Sequence, residues 1–224
     1  MIFLLTMGSQ SLPIYAQPTD VGPAFSDFDD WWQVYTTVAA SERPGMVKKG
    51  TALAKTRSNA MLQLIENDPS AAIQKAFAEE YRSALPKSVS ENIELHVRGL
   101  AKLTVTKKDG TTSRKVTMGE ESWKAFFYGP RLELNSRAEI PIHGVTLAGR
   151  IAVDGSPLER FPKRETLLSV LREGEGKKTC PICGEPGVIP SAVGDVLLWF
   201  DTEEHQAVCE KALVEKEMSP ESED

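Results

Sequence analysis

The chain has 224 residues, 41% of them hydrophobic and 26% charged, with a formal charge of −6 and three cysteines. That is enough apolar material for one medium domain or two small ones with real cores, and it excludes a disordered chain, a collagen and a polytopic membrane protein. The charge is lopsided: Asp201 to Asp224 holds nine acids against Lys211 and Lys216, a local charge of −7, so the rest of the chain sums to about +1. An acidic end of this kind repels a phosphate backbone, which counts against nucleic acid as a partner.

Met1 to Ala16, MIFLLTMGSQSLPIYA, joins a short apolar stretch to a polar, Pro-containing segment and ends on a small residue where a signal peptidase could cut. No Lys or Arg precedes the apolar run Ile2–Leu5, and that run is far shorter than the roughly 20 residues that span a bilayer. Residues 1–16 therefore read as a truncated signal peptide, with a disordered tail as the alternative. The expectation is an extracytoplasmic protein, periplasmic or secreted, with no transmembrane segment in the mature chain. An odd cysteine count leaves at least one thiol without an intramolecular disulfide partner.

Phe25, Phe28, Trp31, Trp32, Tyr35 and Val38 recur at steps near three and four, which predicts a helix over Phe25–Val38, with Ser26 and Asp27 available as caps, packing its aromatic stripe onto the rest of its domain, with docking of a partner as the alternative. Leu53, Ala60, Met61, Leu64 and Ile65 predict a second helix ending near Asn67. Asp68-Pro69 then offers an N-cap and a first-turn proline, and Ile73, Phe77, Tyr81 and Leu85 predict a third helix running to Pro86.

From about Ile93 the periodicity changes. Glu94–Thr106 and Thr111–Met118 flank Asp109-Gly110, a hairpin signal because both turn positions need positive φ. Trp123–Tyr128 and Arg131–Leu134 read as short strands broken at Gly129-Pro130, and Val145–Val153 as a hairpin turning at Ala148-Gly149. Strands at this spacing predict a small twisted antiparallel sheet or barrel with the helices packed against it.

The stretch from Arg57 to about Phe161 contains NAMLQLIENDPSAAIQKAF, SALPKSVSENIELHVRGLAKLTV, SWKAFFYGPRLEL and IPIHGVTLAGRIAVDGSPL. It resembles a module found near the N-terminus of large exported proteins from environmental bacteria, where a helix pair with LIENDP precedes a β-rich part with a Y-G-R-like turn and an IPLHG-like segment. The resemblance implies location and architecture and lends no catalytic residue; Gly129-Pro130-Arg131 departs slightly from the module's usual turn.

His96 and His143 are the histidines of this region, and both read as hydrogen-bonded structural residues. No G-x-S-x-G, H-E-x-x-H, P-loop or dinucleotide-binding glycine pattern occurs. Gly144, Gly149 and Gly155 are spaced as turn residues. Lys102, Lys107, Lys108, Arg114 and Lys115 give the Asp109-Gly110 hairpin a basic cast. A solvated strand face and edge protection explain them, with contact to an anionic polymer or membrane surface as the alternative.

The C-terminal part differs in kind. Cys180-Pro181-Ile182-Cys183-Gly184 is a C-x-x-C knuckle, and His205-x-x-x-Cys209 follows. On a helix, positions i and i+4 share a face, so His205 and Cys209 would offer imidazole and thiolate together; with Cys180 and Cys183 they make a set suited to tetrahedral zinc. Pro186–Ser191 and Val196–Phe200 predict a hairpin, with Thr202 as N-cap and Glu203 and Glu204 in the first helical turn. Alternatives are buried or disulfide-bonded cysteines, a thiol redox motif, which Pro181 and Gly184-Glu185-Pro186-Gly187 disfavour, and a three-ligand site with Glu203, Glu204 or Glu210 as base.

The segment CPICGEPGVIPSAVGDVLLWFDTEEHQAVCEKAL also resembles a YHS/TRASH-type metal-binding module. On that pattern Asp201 and His205 stand where such modules often carry cysteine, which favours zinc, or a mixed site, over soft Cu(I). Three thiolates, one neutral imidazole and Zn²⁺ would carry a charge of about −1, which Lys177 and Lys178 could partly offset.

The expected protein is thus α+β: N-terminal helices packed with a small twisted antiparallel sheet or barrel over residues 25–165, then a knuckle-hairpin-helix, zinc-finger-like module over 177–214 and a disordered acidic tail over 215–224. Its expected role is non-catalytic binding or assembly with an unknown protein or cell-surface partner. The cofactor is zinc or another soft or borderline heavy metal on Cys180, Cys183, His205 and Cys209. A thiol redox or metal-dependent enzyme using Cys180 and Cys183 is the alternative.

Overall fold

The computed structural model describes residues 21–161, 184, 187 and 189–219. The chain opens with helices α1 (Gly22–Thr37) and α2 (Arg43–Asn67), the short α3 (Pro69–Gln74), a 3-10 turn over Glu79–Ala84 and the single turn α4 (Lys87–Ser90). A barrel follows, made of β1 (Leu95–Lys108), β2 (Thr111–Met118), β3 (Glu121–Phe126), β4 (Arg137–Leu147) and β5 (Arg150–Val153). Strands β6 (Leu158–Arg160), β7 (Ile189–Val193) and β8 (Val196–Phe200) form a second, antiparallel sheet, and helix α5 (Glu203–Met218) ends the described chain. The architecture is α+β, and among the described residues no helix is long and apolar enough to cross a membrane.

The barrel closes in the order β1-β2-β3-β5-β4. Five strands in a ring cannot alternate direction all the way round, so one neighbouring pair must be parallel, and here it is β3 with β5. The strand order is the Greek key of small five-stranded barrels of the OB type, an architecture that hosts many functions and by itself assigns none. Inside, Leu103, Val116, Trp123, Ala125, Ile140, Ile142, Ile151 and Val153 interlock, while the alternate residues Lys102, Lys115 and Lys124 face water. The Asp109-Gly110 and Ala148-Gly149 turns have positive φ at both positions, as expected for two-residue hairpins.

The helices cover one side of the barrel. The α1 stripe of Phe28, Trp31 and Tyr35 packs against Ala54 of α2 and against Phe77, Leu85, Val89 and Ile93. Phe25, Ala60, Met61, Ile65 and Ala72 meet Val145 and Ala152 of the barrel. One buried ion pair stitches the layers: Glu94, just ahead of β1, accepts hydrogen bonds from Arg57 of α2 and from the Phe77 N–H at 2.6 Å.

Several expectations are corrected. The third helix stops at Gln74, not near Leu85, because side chains capture its next backbone groups: Arg57 donates to the Lys75 carbonyl at 2.7 Å, and Glu94 takes the Phe77 N–H. Arg131–Leu134 is not a strand; a 3-10 turn over Gly129–Glu133 delivers Arg131 into the interior. Gly144 is not a turn residue but lies within β4, where a Cβ would land on the Ala152 carbonyl. The last helix runs past Val214 to Met218, and Glu217 on its final turn is buried on the barrel's Arg131 at 2.7 Å. Strand β6, inside the expected 25–165 module, pairs with β7 of the expected 177–214 module, so the two share one sheet, a point the sequence leaves open.

Candidate functional site

The metal-ligand expectation rests on the junction between β8 and α5. Thr202 has extended backbone angles (φ −135°, ψ 162°), and its side chain accepts the His205 N–H at 3.1 Å, capping the helix as the sequence predicts. Asp201 turns back toward the same point. Its Oδ1 accepts the Thr202 N–H at 2.8 Å and hydrogen-bonds His205 Nδ1. The hydrogen bond from His205 is the chief reason the Asp201 carboxyl titrates below the usual carboxylate range. The imidazole also stands edge-on to Phe200, ring centres 5.7 Å apart. Carboxylate below and aromatic ring beside it therefore fix its direction.

Cys209 lies one turn further along the same helix face. It is 2% exposed and packs among Leu158, Leu198 and Phe200, with Ile189, Val193 and Leu213 at the margin of the cluster. Cys180 and Cys183 lie outside the described residues, and among the described residues no group of three or more His, Cys, Asp or Glu side chains is arranged to hold a metal. Two positions nearby bear on the knuckle. Gly184 has φ +77°, a conformation suited to glycine, and Gly187 sits so tightly against Phe200 that a Cβ there would meet its backbone. Gly187 is thus held beside the strand end that leads into Asp201 and His205.

A second concentration of polar groups lines a cleft of about 300 Å³ between the barrel and the small sheet. His143 Nε2 lies 3.4 Å from Asp154 Oδ2, and Asp154 Oδ1 accepts the Ser156 N–H at 2.9 Å. Burial works to raise the Asp154 carboxyl, but the hydrogen bond and charge of His143, the Ser156 N–H and the Tyr128 hydroxyl together outweigh it, and the group titrates below its ordinary value. Burial, in contrast, pushes the Tyr128 phenol up.

The other charged groups of the cleft are committed to one another. Arg98 bonds Glu159 at 3.0 and 3.2 Å and Glu79 at 3.2 Å, and Arg160 pairs with Glu210. His96 Nε2 is 2.9 Å from the Phe77 carbonyl, within hydrogen-bond distance. Ser156 Oγ is used within its own turn, accepting the Leu158 N–H at 3.0 Å and donating to its carbonyl at 3.2 Å. Beside the His143–Asp154 pair the hydroxyl is that of Tyr128, whose phenol burial pushes up, and among the described residues no thiol stands next to the pair. Sequence reasoning missed Asp154 and Tyr128; the only local signal was Asp154-Gly155-Ser156, which reads as a turn.

These features define an α+β protein built on a closed five-stranded barrel, with a hairpin and helix docked on it by Arg131–Glu217. In comparisons with known proteins, no family model, no curated protein and no solved structure matches the chain.

Proposed function

We propose that this chain is an exported, non-catalytic binding or assembly protein whose C-terminal unit is held together by a structural zinc ion, or another borderline heavy metal, on Cys180, Cys183, His205 and Cys209. The observation that carries the reading is the hydrogen bond between His205 Nδ1 and Asp201. A histidine that ligates a metal usually donates its other ring N–H to a carboxylate, which selects the tautomer and aims the remaining nitrogen. The one-turn spacing of His205 and Cys209 and the seating of Gly187 on Phe200 add to it. The YHS/TRASH-like order of knuckle, hairpin and helix, and the likeness of residues 57–161 to an exported module, belong to the same proposal.

Four protein ligands leave no open coordination position, so the metal would fold the unit and not activate water. The test is metal analysis of the purified chain with thiol titration before and after chelation. One tightly held ion that shields three thiols supports the proposal. A metal-free protein that cycles a single Cys180–Cys183 disulfide refutes it in favour of a thiol redox enzyme.

A further inference from the structure

The geometry points to a second surface, on the barrel itself: we infer that the outward face of β1, β2 and β3 binds an acidic polysaccharide, a linear chain of carboxylated sugars. In the register of the sheet, Thr104 stands opposite Lys115, Lys115 opposite Lys124, and Lys124 opposite Arg150. Three cations thus occupy one row across adjacent strands, spaced about 4.8 Å apart. Like charges directly opposite one another in a sheet are destabilising. Lysines are often placed on strands to guard an exposed edge, but this barrel is closed and the row lies across paired strands. Edge protection therefore does not account for the row.

The rest of the face is chemically uniform. Lys102, Thr117 and Ser122 form a neighbouring row, and Thr106 stands opposite Ser113. Among residues 102–108, 111–117 and 122–126, the outward positions other than Phe126 carry ammonium groups and hydroxyls and no carboxylate; Asp109, Glu120 and Glu121 stand at the strand ends. Lys102, Lys115 and Lys124 are exposed and make no ion pair among the described residues, while Arg150 is held by Glu66. In a protein of net charge −6 such a face is where a polyanion would be steered.

Hydroxyls interleaved with ammonium groups match a chain that alternates carboxylates with sugar hydroxyls. Single-stranded nucleic acid would call for exposed aromatic platforms. The only aromatic on this face is Phe126, partly buried with the Lys124 ammonium 5.1 Å from its ring centre. A bilayer would call for a group of apolar anchors, and beside the lysine rows this face offers only Leu100 of β1, half exposed and in contact with Gly194 of the small sheet. The inference rests on the barrel and is independent of the metal.

The test is binding of the full chain to immobilised polygalacturonate, with neutral dextran, a single-stranded DNA and phosphatidylserine vesicles as competitors of different class. The expected result is binding to polygalacturonate that weakens roughly tenfold between about 50 and about 200 mM salt. It should fall at least tenfold in the double variant K115T/K124T, whose melting temperature is unchanged or raised because the opposed charges are gone. No binding to polygalacturonate, equal binding by the double variant, or tighter binding to dextran, DNA or vesicles overturns the inference.

Discussion

Removal of the Glu94 carboxylate should cost a large share of the molecule's stability, because one side chain there serves two buried partners. Glu94 is 1% exposed; it holds the Arg57 guanidinium, itself 1% exposed, and the Phe77 N–H. Arg57 also donates to the Lys75 carbonyl and lies over the rings of Phe25 and Phe28, at 4.9 and 5.5 Å, so it cannot swing out to water without dismantling the α1–α2 layer. Breaking a buried pair from one side costs about 3–5 kcal/mol, and orphaning a buried N–H about 1–3 kcal/mol. With partial overlap, Glu94→Ala should cost about 4–6 kcal/mol, against a total of about 5–15 kcal/mol for a typical protein. At ~2–4 °C per kcal/mol for a chain of this size, the melting temperature should drop by about 8–24 °C. Arg57→Met combined with Glu94→Gln removes both charges and keeps an acceptor for Phe77, and should recover at least half of that loss. Urea and thermal unfolding followed by tryptophan fluorescence measure both variants. A loss under about 1 kcal/mol for Glu94→Ala, or no recovery in the double variant, would refute the assignment.

Other outcomes follow from equally specific contacts. Gly144→Ala drives a methyl into the Ala152 carbonyl inside the barrel and should destabilise by about 1–3 kcal/mol; Gly45→Ala, near the start of α2 with nothing within 4 Å, should stabilise by about 0.4–1 kcal/mol, both read from urea midpoints. Because the native Asp154 carboxyl titrates below its unfolded value, its contribution is full above about pH 4 and is lost as pH falls through the lower native value. Asp154→Asn should therefore flatten the acid limb of a stability profile, and an unchanged limb would contradict the assignment. Asp201→Asn leaves every proposed metal ligand in place but loosens the imidazole, and should weaken zinc affinity by about 10–100-fold in competition with a chromogenic chelator.

Local chemistry was the most legible part of the sequence. The Asp109-Gly110 and Ala148-Gly149 turns, the Asp68 and Thr202 caps and the aromatic stripe of α1 each depend on a few neighbouring residues, and each appears as expected. Ser26 and Asp27 do not cap α1, because the helix starts a turn earlier, at Gly22, with no side-chain cap from Val21. What the sequence hid was decided at long range. The pattern Ile73, Phe77, Tyr81, Leu85 looks helical, yet Glu94 and Arg57 claim the backbone groups that would have continued the helix, and Tyr81 is exposed. The apolar positions from Leu53 onward set no start for α2, which begins at Arg43 with Pro44 in its first turn, where proline's missing N–H costs nothing. Arg131 reads as the start of a short strand and Glu217 as part of a disordered tail; only the closed barrel and the extra turn of α5 bring them together in the interior. At the candidate site, the spacing of His205 and Cys209 was visible in advance, but the orienting role of Asp201 was not, since the sequence assigned that position only by analogy with a cysteine.

The most direct test of the proposed metal centre is X-ray absorption at the zinc edge on the full chain loaded with one equivalent of zinc. The account predicts three sulfur neighbours at about 2.3 Å and one imidazole nitrogen at about 2.0 Å. A shell of oxygen and nitrogen alone, or a spectrum unchanged when Cys209 and His205 are both replaced by alanine, would contradict it.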